Sequence, residues 1–280
     1  MSSGGFGGAT VREALDSAVI AIAAAGSASP RLDAELLLAD ALGIDRAALV
    51  TDSRREVTGT AVRAFQDAVR RRSAGREPVA YILGRRSFRY LELEVDARVL
   101  VPRPETELLV EVGLELPEGA RVADVGTGSG AIALALKHER PDLDVVATDA
   151  SIHALAVARG NASRLGLDVE FVHGDLLAGL RHFDAVLSNP PYVAEGERAT
   201  LAPEITRHEP PGALFAGADG LDVIRRLVPA AAAAGAALLA IEVGAGQAGR
   251  VTTLMGAAGF TRVAVRRDLA GIERVVVGES

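Results

Sequence analysis

Asn189, Pro190, Pro191 and Tyr192 follow a short apolar run in "VLSNPPYVAEG". The prolines lack a backbone N–H and have φ fixed, so they end a strand and stiffen the loop after it. A turn explains the prolines but not the amide and the phenol beside them. A planar nitrogen, as in a carboxamide or an exocyclic base amine, is a poor nucleophile because its lone pair is delocalised. Acceptors placed on both of its N–H groups orient it and favour a lone pair aimed at an electrophile. Asn189 offers a side-chain carbonyl, Pro190 a backbone carbonyl on a rigid loop, and Tyr192 a flat face for a planar group. The chemistry that fits is methyl transfer from a sulfonium to such a nitrogen, which sheds its extra proton readily once alkylated. For the tetrapeptide alone, a strand-ending turn with a packed tyrosine is the simpler account.

A second constellation changes that balance. In "RVADVGTGSGAIALAL" a strand ends at Asp124 and Val125, and Gly126, Thr127, Gly128, Ser129 and Gly130 lead into a helix. Glycines there let the backbone turn sharply and approach a ligand closely. Asp149 closes the next strand, "VVATD", about 20 residues after the first glycine, the spacing of an acid that accepts from a ribose. Asp175, in "VHGDLLAG", stands where a carboxylate would accept from an adenine amine. Gly126, Gly128 and Ala131 also satisfy the dinucleotide pattern, so an NAD-dependent oxidoreductase is a competing reading, one that leaves "NPPY" unexplained.

These residues need a sheet to hold them together. Short strands are expected at 122–125, 145–148, 169–172, 185–188 and 238–243, with helices at 132–138 and 152–165. Strand, helix, strand in that order implies parallel pairing with right-handed crossovers, an open α/β sheet covered on both faces. The tail, "FTRVAVRRDLAGIERVVVGE", reads as an antiparallel hairpin added to the sheet edge. Upstream, residues 10–72 show helical spacing, with Leu32, Leu36, Leu37 and Leu42 expected on the apolar face of a helix begun by Ser-Pro. "FRYLELEV" alternates Leu91, Leu93 and Val95 against Tyr90, Glu92 and Glu94, a strand with one wet face.

The chain has 280 residues, 49% of them apolar, enough for a sizeable core. It contains no cysteine, which excludes disulfides and thiol nucleophiles. A net charge of −7 argues against a general nucleic-acid binder. The five histidines show no ligand spacing, so no metal site is expected. The opening "MSSGGFGGAT" shows no leader pattern and no apolar run is long enough to span a bilayer; a cytoplasmic protein is expected. The arginines at 70, 71, 72, 76, 85, 86 and 89 are expected to be solvated helix ends, with steering of an acidic partner as the other reading.

The combination "DVGTGSG", "TD" and "SNPPY" resembles the class I S-adenosylmethionine-dependent methyltransferases that modify planar nitrogen. Further stretches, "REPVAYILG", "VLVPRPETELLVE", "EPPGALFAGADGLDVIRRL", "EVGAGQAGRV" and "DLAGIERVV", are similar to the release-factor glutamine methyltransferases, also called PrmC or HemK. The similarity runs from about Leu32 to the end of the chain. It implies methylation of the side-chain amide nitrogen (N5) of the glutamine in the Gly-Gly-Gln loop of class 1 peptide chain release factors. S-adenosyl-L-methionine would be the donor and S-adenosyl-L-homocysteine the product. It implies a helical substrate-docking domain at 1–84, a β-hairpin linker at 85–103 and a Rossmann-like methyltransferase domain at 104–280, with a monomer acting on its protein substrate.

Carried over by motif, Asp124, Gly126, Thr127, Gly128, Ser129, Gly130 and Asp149 would hold the cofactor, with Asp175 and Leu176 near its adenine and Asn189 beside it. Asn189, Pro190, Pro191 and Tyr192 would hold the glutamine, joined by Glu105 of "PRPETE", with Asn189, Pro190 and Tyr192 as the catalytic set. Leu176 stands where some members carry an aromatic, and Val99, Leu100 and Val101 precede "PRPETE". Methylation of a ribosomal-protein glutamine or of a nucleic-acid amine remains the alternative.

Overall fold

The computed structural model describes residues 8–177 and 179–280. The first seven residues of the stretch read above for a leader lie outside them. The chain divides into two units, Met1–Gly84 with Pro203–His208, and Arg85–Ala202 with Glu209–Ser280. The hairpin expected as a separate linker groups with the second unit, and a short downstream segment joins the helices.

In the first unit, α1 (Val11–Ala24) opens on a capping box in which Thr10 and Glu13 satisfy each other's backbone N–H. Its buried residues, Val11, Leu15, Ala18 and Ile22, follow helical spacing. Helix α2 (Pro30–Leu42) starts on proline and ends at Gly43 with left-handed φ. Its inward face is Asp33, Ala34, Leu37, Leu38 and Ala39, while Leu32 is exposed and Leu36 and Leu42 are half-buried. The leucine spacing therefore misplaced the face by a fraction of a turn, because it discounted a buried aspartate. After α3 (Ala48–Thr51), α4 (Thr60–Ser73) carries the partner: buried Arg72 donates to Asp33 at 2.7 Å. Helix α5 (Val79–Leu83) completes the N-terminal set.

The second unit opens with a hairpin, β1 (Arg85–Phe88) and β2 (Leu91–Glu94), in which Leu91 and Leu93 are buried and Glu92 and Glu94 exposed. Next come α6 (Glu107–Leu114), β3 (Arg121–Val125), α7 (Ala131–Glu139), β4 (Asp144–Asp149), α8 (Ile152–Leu165), β5 (Glu170–His173) and β6 (Ala185–Ser188). The chain then passes through α9 (Pro203–His208), which belongs to the first unit. It returns as α10 (Asp222–Ala233), β7 (Leu238–Glu242), α11 (Ala248–Ala257), β8 (Arg262–Arg267) and β9 (Glu273–Glu279).

The seven strands lie in the order β5-β4-β3-β6-β7-β9-β8, five parallel and the last two antiparallel. Alternate residues of the strands go to opposite faces. Val122, Val145, Ala185 and Leu187 pack under α6 and α7, while Ala123, Val146, Val186, Leu239 and Ile241 pack under α10 and α11. Strand order reverses between β3 and β6, and open α/β sheets bind ligands at the carboxyl ends flanking such a point. No helix among the described residues is long and apolar enough to cross a membrane.

Candidate active site

Register alone gathers the chemistry. Thr148, Val125, Ser188 and Ile241 pair across β4, β3, β6 and β7, forming one row through the sheet. The residue after each is therefore set side by side: Asp149, Gly126, Asn189 and Glu242. Ser188 tightens the row by donating its hydroxyl to the Val125 carbonyl at 2.7 Å. A cavity of about 470 Å³ opens over this edge, lined among others by Gly126, Thr127, Gly128, Ser129, Asp149, Asp175, Leu176, Asn189, Pro190 and Pro191.

The glycine loop is built to present carboxylates rather than N–H groups. Gly126 and Thr127 both donate backbone N–H to the Thr148 carbonyl, at 2.9 and 3.0 Å. The Gly128 N–H goes to Asp149 Oδ2 at 2.9 Å, and Gly130 donates to the Thr127 carbonyl. A phosphate-binding loop leaves such donors pointing at its ligand. Here four of them are spent within the protein, which removes the main support for a dinucleotide. Gly126 and Gly128 have positive φ, and a Cβ built on either meets nothing within 4 Å, so both face open space. Gly130 differs: it is absent from the cavity wall, and a Cβ there would lie 2.8 Å from Leu134 Cδ1. Its role is to let α7 pack closely.

Three carboxylates border the loop. Asp149 Oδ1 accepts from the Ser151 N–H at 2.8 Å, fixing the side chain while leaving lone pairs toward the cavity. Asp124 lies fully buried behind the wall, accepting from the Thr127 hydroxyl and the Ala133 N–H. Its Oδ1 has no hydrogen-bond partner among the described residues, and burial pushes its pKa up to about 7. An orphaned buried oxygen beside a carboxylate-rich cavity fits a ligand with cationic groups better than an anionic one. Asp175 sits on the rim, ion-paired with Arg226. Leu176 lines the cavity with φ of +51°, an unfavourable conformation held by the buried Thr148 hydroxyl, which donates to its carbonyl at 2.6 Å.

On the Asn189 side the structure adds residues that the sequence did not single out. Asn189 Nδ2 donates to Thr106 Oγ1 at 3.0 Å, and Thr106 donates to Glu242 Oε2 at 2.6 Å. The Tyr192 hydroxyl is 3.3 Å from Glu242 Oε1. Tyr192 does not line the cavity, so its phenol braces this network instead of forming the flat wall expected of it. Burial raises its pKa, and the Glu242 charge adds to the shift. Gln247 holds the Tyr192 carbonyl at 2.9 Å and accepts from the Gly244 N–H. Burial pushes Glu242 up to about 7, against the hydrogen bonds from Thr106 and Tyr192.

"PRPETE" reaches the site through Thr106 and Arg103, both in the cavity wall; Glu105 is not part of it. Val99 and Leu100 line the cavity too. Arg103 Nη2 lies 2.7 Å from both oxygens of buried Glu209. Glu242 was detectable in principle: "LLAIEVG" places an acid at the end of an apolar strand, as "VADVG" and "VVATD" do.

Residues 13–84 match the family described as "PrmC N-terminal domain", and residues 104–231 the "Methyltransferase small domain". A protein of Deinococcus radiodurans named "Release factor glutamine methyltransferase" is 45% identical, covering 95% of this chain and 97% of its own. One of Koribacter versatilis with the same name is 44% identical, covering 96% and 98%. Among solved structures, the hMettl16 catalytic domain bound to a MAT2A 3'UTR hairpin superposes with a TM-score of 0.56 at 15% identity, over 79% of this chain and 81% of that one. A methyltransferase from Pyrococcus furiosus gives 0.52 at 18% identity, over 68% and 88%. At such identities these two speak for the fold alone.

Proposed function

The chain belongs to the release factor glutamine methyltransferase family, and from that premise we propose that Asn189 and Pro190 hold the amide of a release-factor glutamine while the glycine loop, Asp149 and Asp124 hold S-adenosyl-L-methionine. The enzyme transfers a methyl group from S-adenosyl-L-methionine to the glutamine side-chain nitrogen, and the glutamine is that of the Gly-Gly-Gln loop of class 1 release factors. The observation that carries this reading is the shared row of the sheet, which sets Asn189 beside Gly126 and Asp149 on one cavity.

The bound cofactor supplies an electrophilic methyl group on a sulfonium. Asn189 Oδ1 and the Pro190 carbonyl accept from the two amide N–H groups, which orients the nitrogen and offsets the growing positive charge on it. Pro190 and Pro191 fix the loop, so that carbonyl needs no reordering when substrate arrives. Asp149 retains lone pairs for ribose hydroxyls, while Asp124, behind the wall, fixes the loop by accepting from Thr127 and the Ala133 N–H and adds negative charge next to the place of a cationic ligand. No group of the site serves as a strong base, in keeping with a nitrogen that loses its proton readily once alkylated.

At the rim Arg98, Arg103 and Arg226 are each ion-paired, to Asp96, Glu209 and Asp175. That pairing favours a protein substrate over a strand of phosphates. The same reading makes the protein a cytoplasmic monomer that meets its release factor directly. Purified release factor incubated with methyl-labelled cofactor tests it. Label is expected on the Gly-Gly-Gln glutamine by mass spectrometry, and its absence there overturns the substrate assignment.

A further inference from the structure

Asn189 has two chemically opposite ends, and a clamp for N–H groups works only if the oxygen faces the substrate. Nothing in the shape of a carboxamide enforces that choice, since its oxygen and nitrogen are nearly equal in size. The choice has to come from the neighbour of the other end. That neighbour is Thr106, whose hydroxyl carries a single proton. Ionised Glu242 is acceptor only and takes that proton at 2.6 Å. Thr106 Oγ1 is then left with lone pairs, so it can only accept from Asn189, which it does at 3.0 Å. The nitrogen of the amide is drawn to Thr106 and the oxygen is turned to the cavity.

The geometry points to Thr106 and Glu242 as positioning residues that set the polarity of the Asn189 amide, and so select an N–H donor as the nitrogen to be methylated. This rests on the glutamine methyl transfer proposed above and deepens it. Three features single the relay out from ordinary core hydrogen bonding. It runs in one direction, from Asn189 through Thr106 to a carboxylate. Its end point is nearly inaccessible, Glu242 being 1% exposed, a costly place for a charge without an arginine on it. It joins three separate chain segments: the ends of β6 and β7, which the sheet register sets side by side, and the turn before α6 that carries Thr106.

The relay is also reversible in principle. When Glu242 takes up a proton it becomes a donor to Thr106 Oγ1, and Thr106 can then give its own proton to Asn189 Oδ1. That turns Nδ2 toward the substrate, where donor would face donor. Groups that bear on Glu242 are the Thr106 hydroxyl, the Tyr192 phenol, Glu105, whose charge raises its pKa, and Arg274 of β9, which lowers it; Arg103 acts on Tyr192 from the far side. Protonation of Glu242 contributes to the acid limb together with Asp124, also raised to about 7, and turnover falls as pH falls through it.

The test uses single-turnover methylation of a purified class 1 release factor by wild type, Thr106→Val, Thr106→Ser and Glu242→Gln, with cofactor affinity measured by calorimetry. Thr106→Val is expected to lose about 10- to 100-fold in rate, the scale of an unmade buried hydrogen bond, with cofactor affinity retained. Thr106→Ser keeps the relay and is expected within about 3-fold of wild type, since only a methyl group is removed. In Glu242→Gln the side chain accommodates either polarity, so the rate falls and the acid limb loses the part carried by Glu242, leaving that of Asp124. A Thr106→Val rate equal to wild type overturns the proposal, as does a Glu242→Gln profile with the wild-type acid limb. If Thr106→Val fails to bind cofactor, the Glu242→Gln profile alone decides. Failure of wild type to label glutamine at all would instead refute the function on which the relay rests.

Discussion

Two of the buried polar networks, one in each unit, differ in how their charge is met. In the helical unit Arg72 donates to Asp33 at 2.7 Å and to Glu204 at 2.6 Å, while Arg76 reaches the other oxygen of Glu204. In the catalytic unit the hydrogen bonds to Glu242 come, among the described residues, from two hydroxyls, those of Thr106 and Tyr192. Burial would raise Glu204, but Arg76 and Arg72 hold it down at about 2; burial raises Glu242 to about 7, because the hydrogen bonds from Thr106 and Tyr192 and the more distant Arg274 offset it only in part. A buried carboxylate clasped by guanidinium joins parts of a fold, whereas one left to hydroxyls costs stability and is retained for what it orders.

The comparison breaks most visibly at Arg72. Arg72→Met keeps the packed stem but leaves Asp33 and Glu204 short of a partner, and is expected to cost about 3–5 kcal/mol in chemical denaturation of the full chain. A loss below about 1 kcal/mol would show the clasp to be ornamental.

Glu242→Gln is expected to act in the opposite sense. A carboxyl whose folded pKa lies near 7 contributes its full share of stability below the ordinary value of 4.5 and loses it as pH rises to 7. The variant should therefore gain on the order of 2–3 kcal/mol over wild type at pH 8 and almost nothing at pH 4. Asp124, raised likewise, keeps part of the decline in both proteins. Glu204 has the reverse sign: its contribution is present above 4.5 and lost as pH falls toward 2. Melting temperatures across this range separate the two; an equal gain at pH 4 and pH 8 contradicts the assignment.

Within the catalytic unit, Asp149→Ala is expected to weaken S-adenosyl-L-methionine binding by about 10- to 100-fold, the scale of hydrogen bonds to a charged group. Calorimetry checks it, and unchanged affinity would detach Asp149 from the cofactor. Gly130→Ala tests packing alone. With φ of +86° and Leu134 Cδ1 in the way, it is expected to cost about 1–3 kcal/mol while leaving the carboxylates of the loop in place.

Much of this was legible in the sequence where a signal is local. Strands β3, β4, β6 and β7 and the tail hairpin follow from apolar runs bounded by turn residues, and "SNPPY" announces an amide held on a stiff loop. What was not legible depends on partners far along the chain. Leu32 looked apolar and turned out exposed because Asp33, beside it, is drawn inward by Arg72. Tyr192 looked like a wall and became a brace because Glu242, fifty positions on, takes its hydroxyl. Gly130 looked like a ligand glycine and serves helix packing instead. Thr106, in a motif whose charged neighbours drew attention, reaches the site because its hydroxyl meets two side chains that only register brings near.

Whether Asn189 holds the glutamine nitrogen while a separate set of residues holds the cofactor is decided by one variant measured two ways. Asn189→Ala is predicted to lose about 100- to 1,000-fold in single-turnover methylation of the Gly-Gly-Gln glutamine, the scale seen when one preorganised group is removed from a developing charge. Its S-adenosyl-L-methionine affinity by calorimetry is predicted to stay within about 3-fold of wild type. Equal loss of binding and transfer, or transfer that survives the substitution, would contradict it.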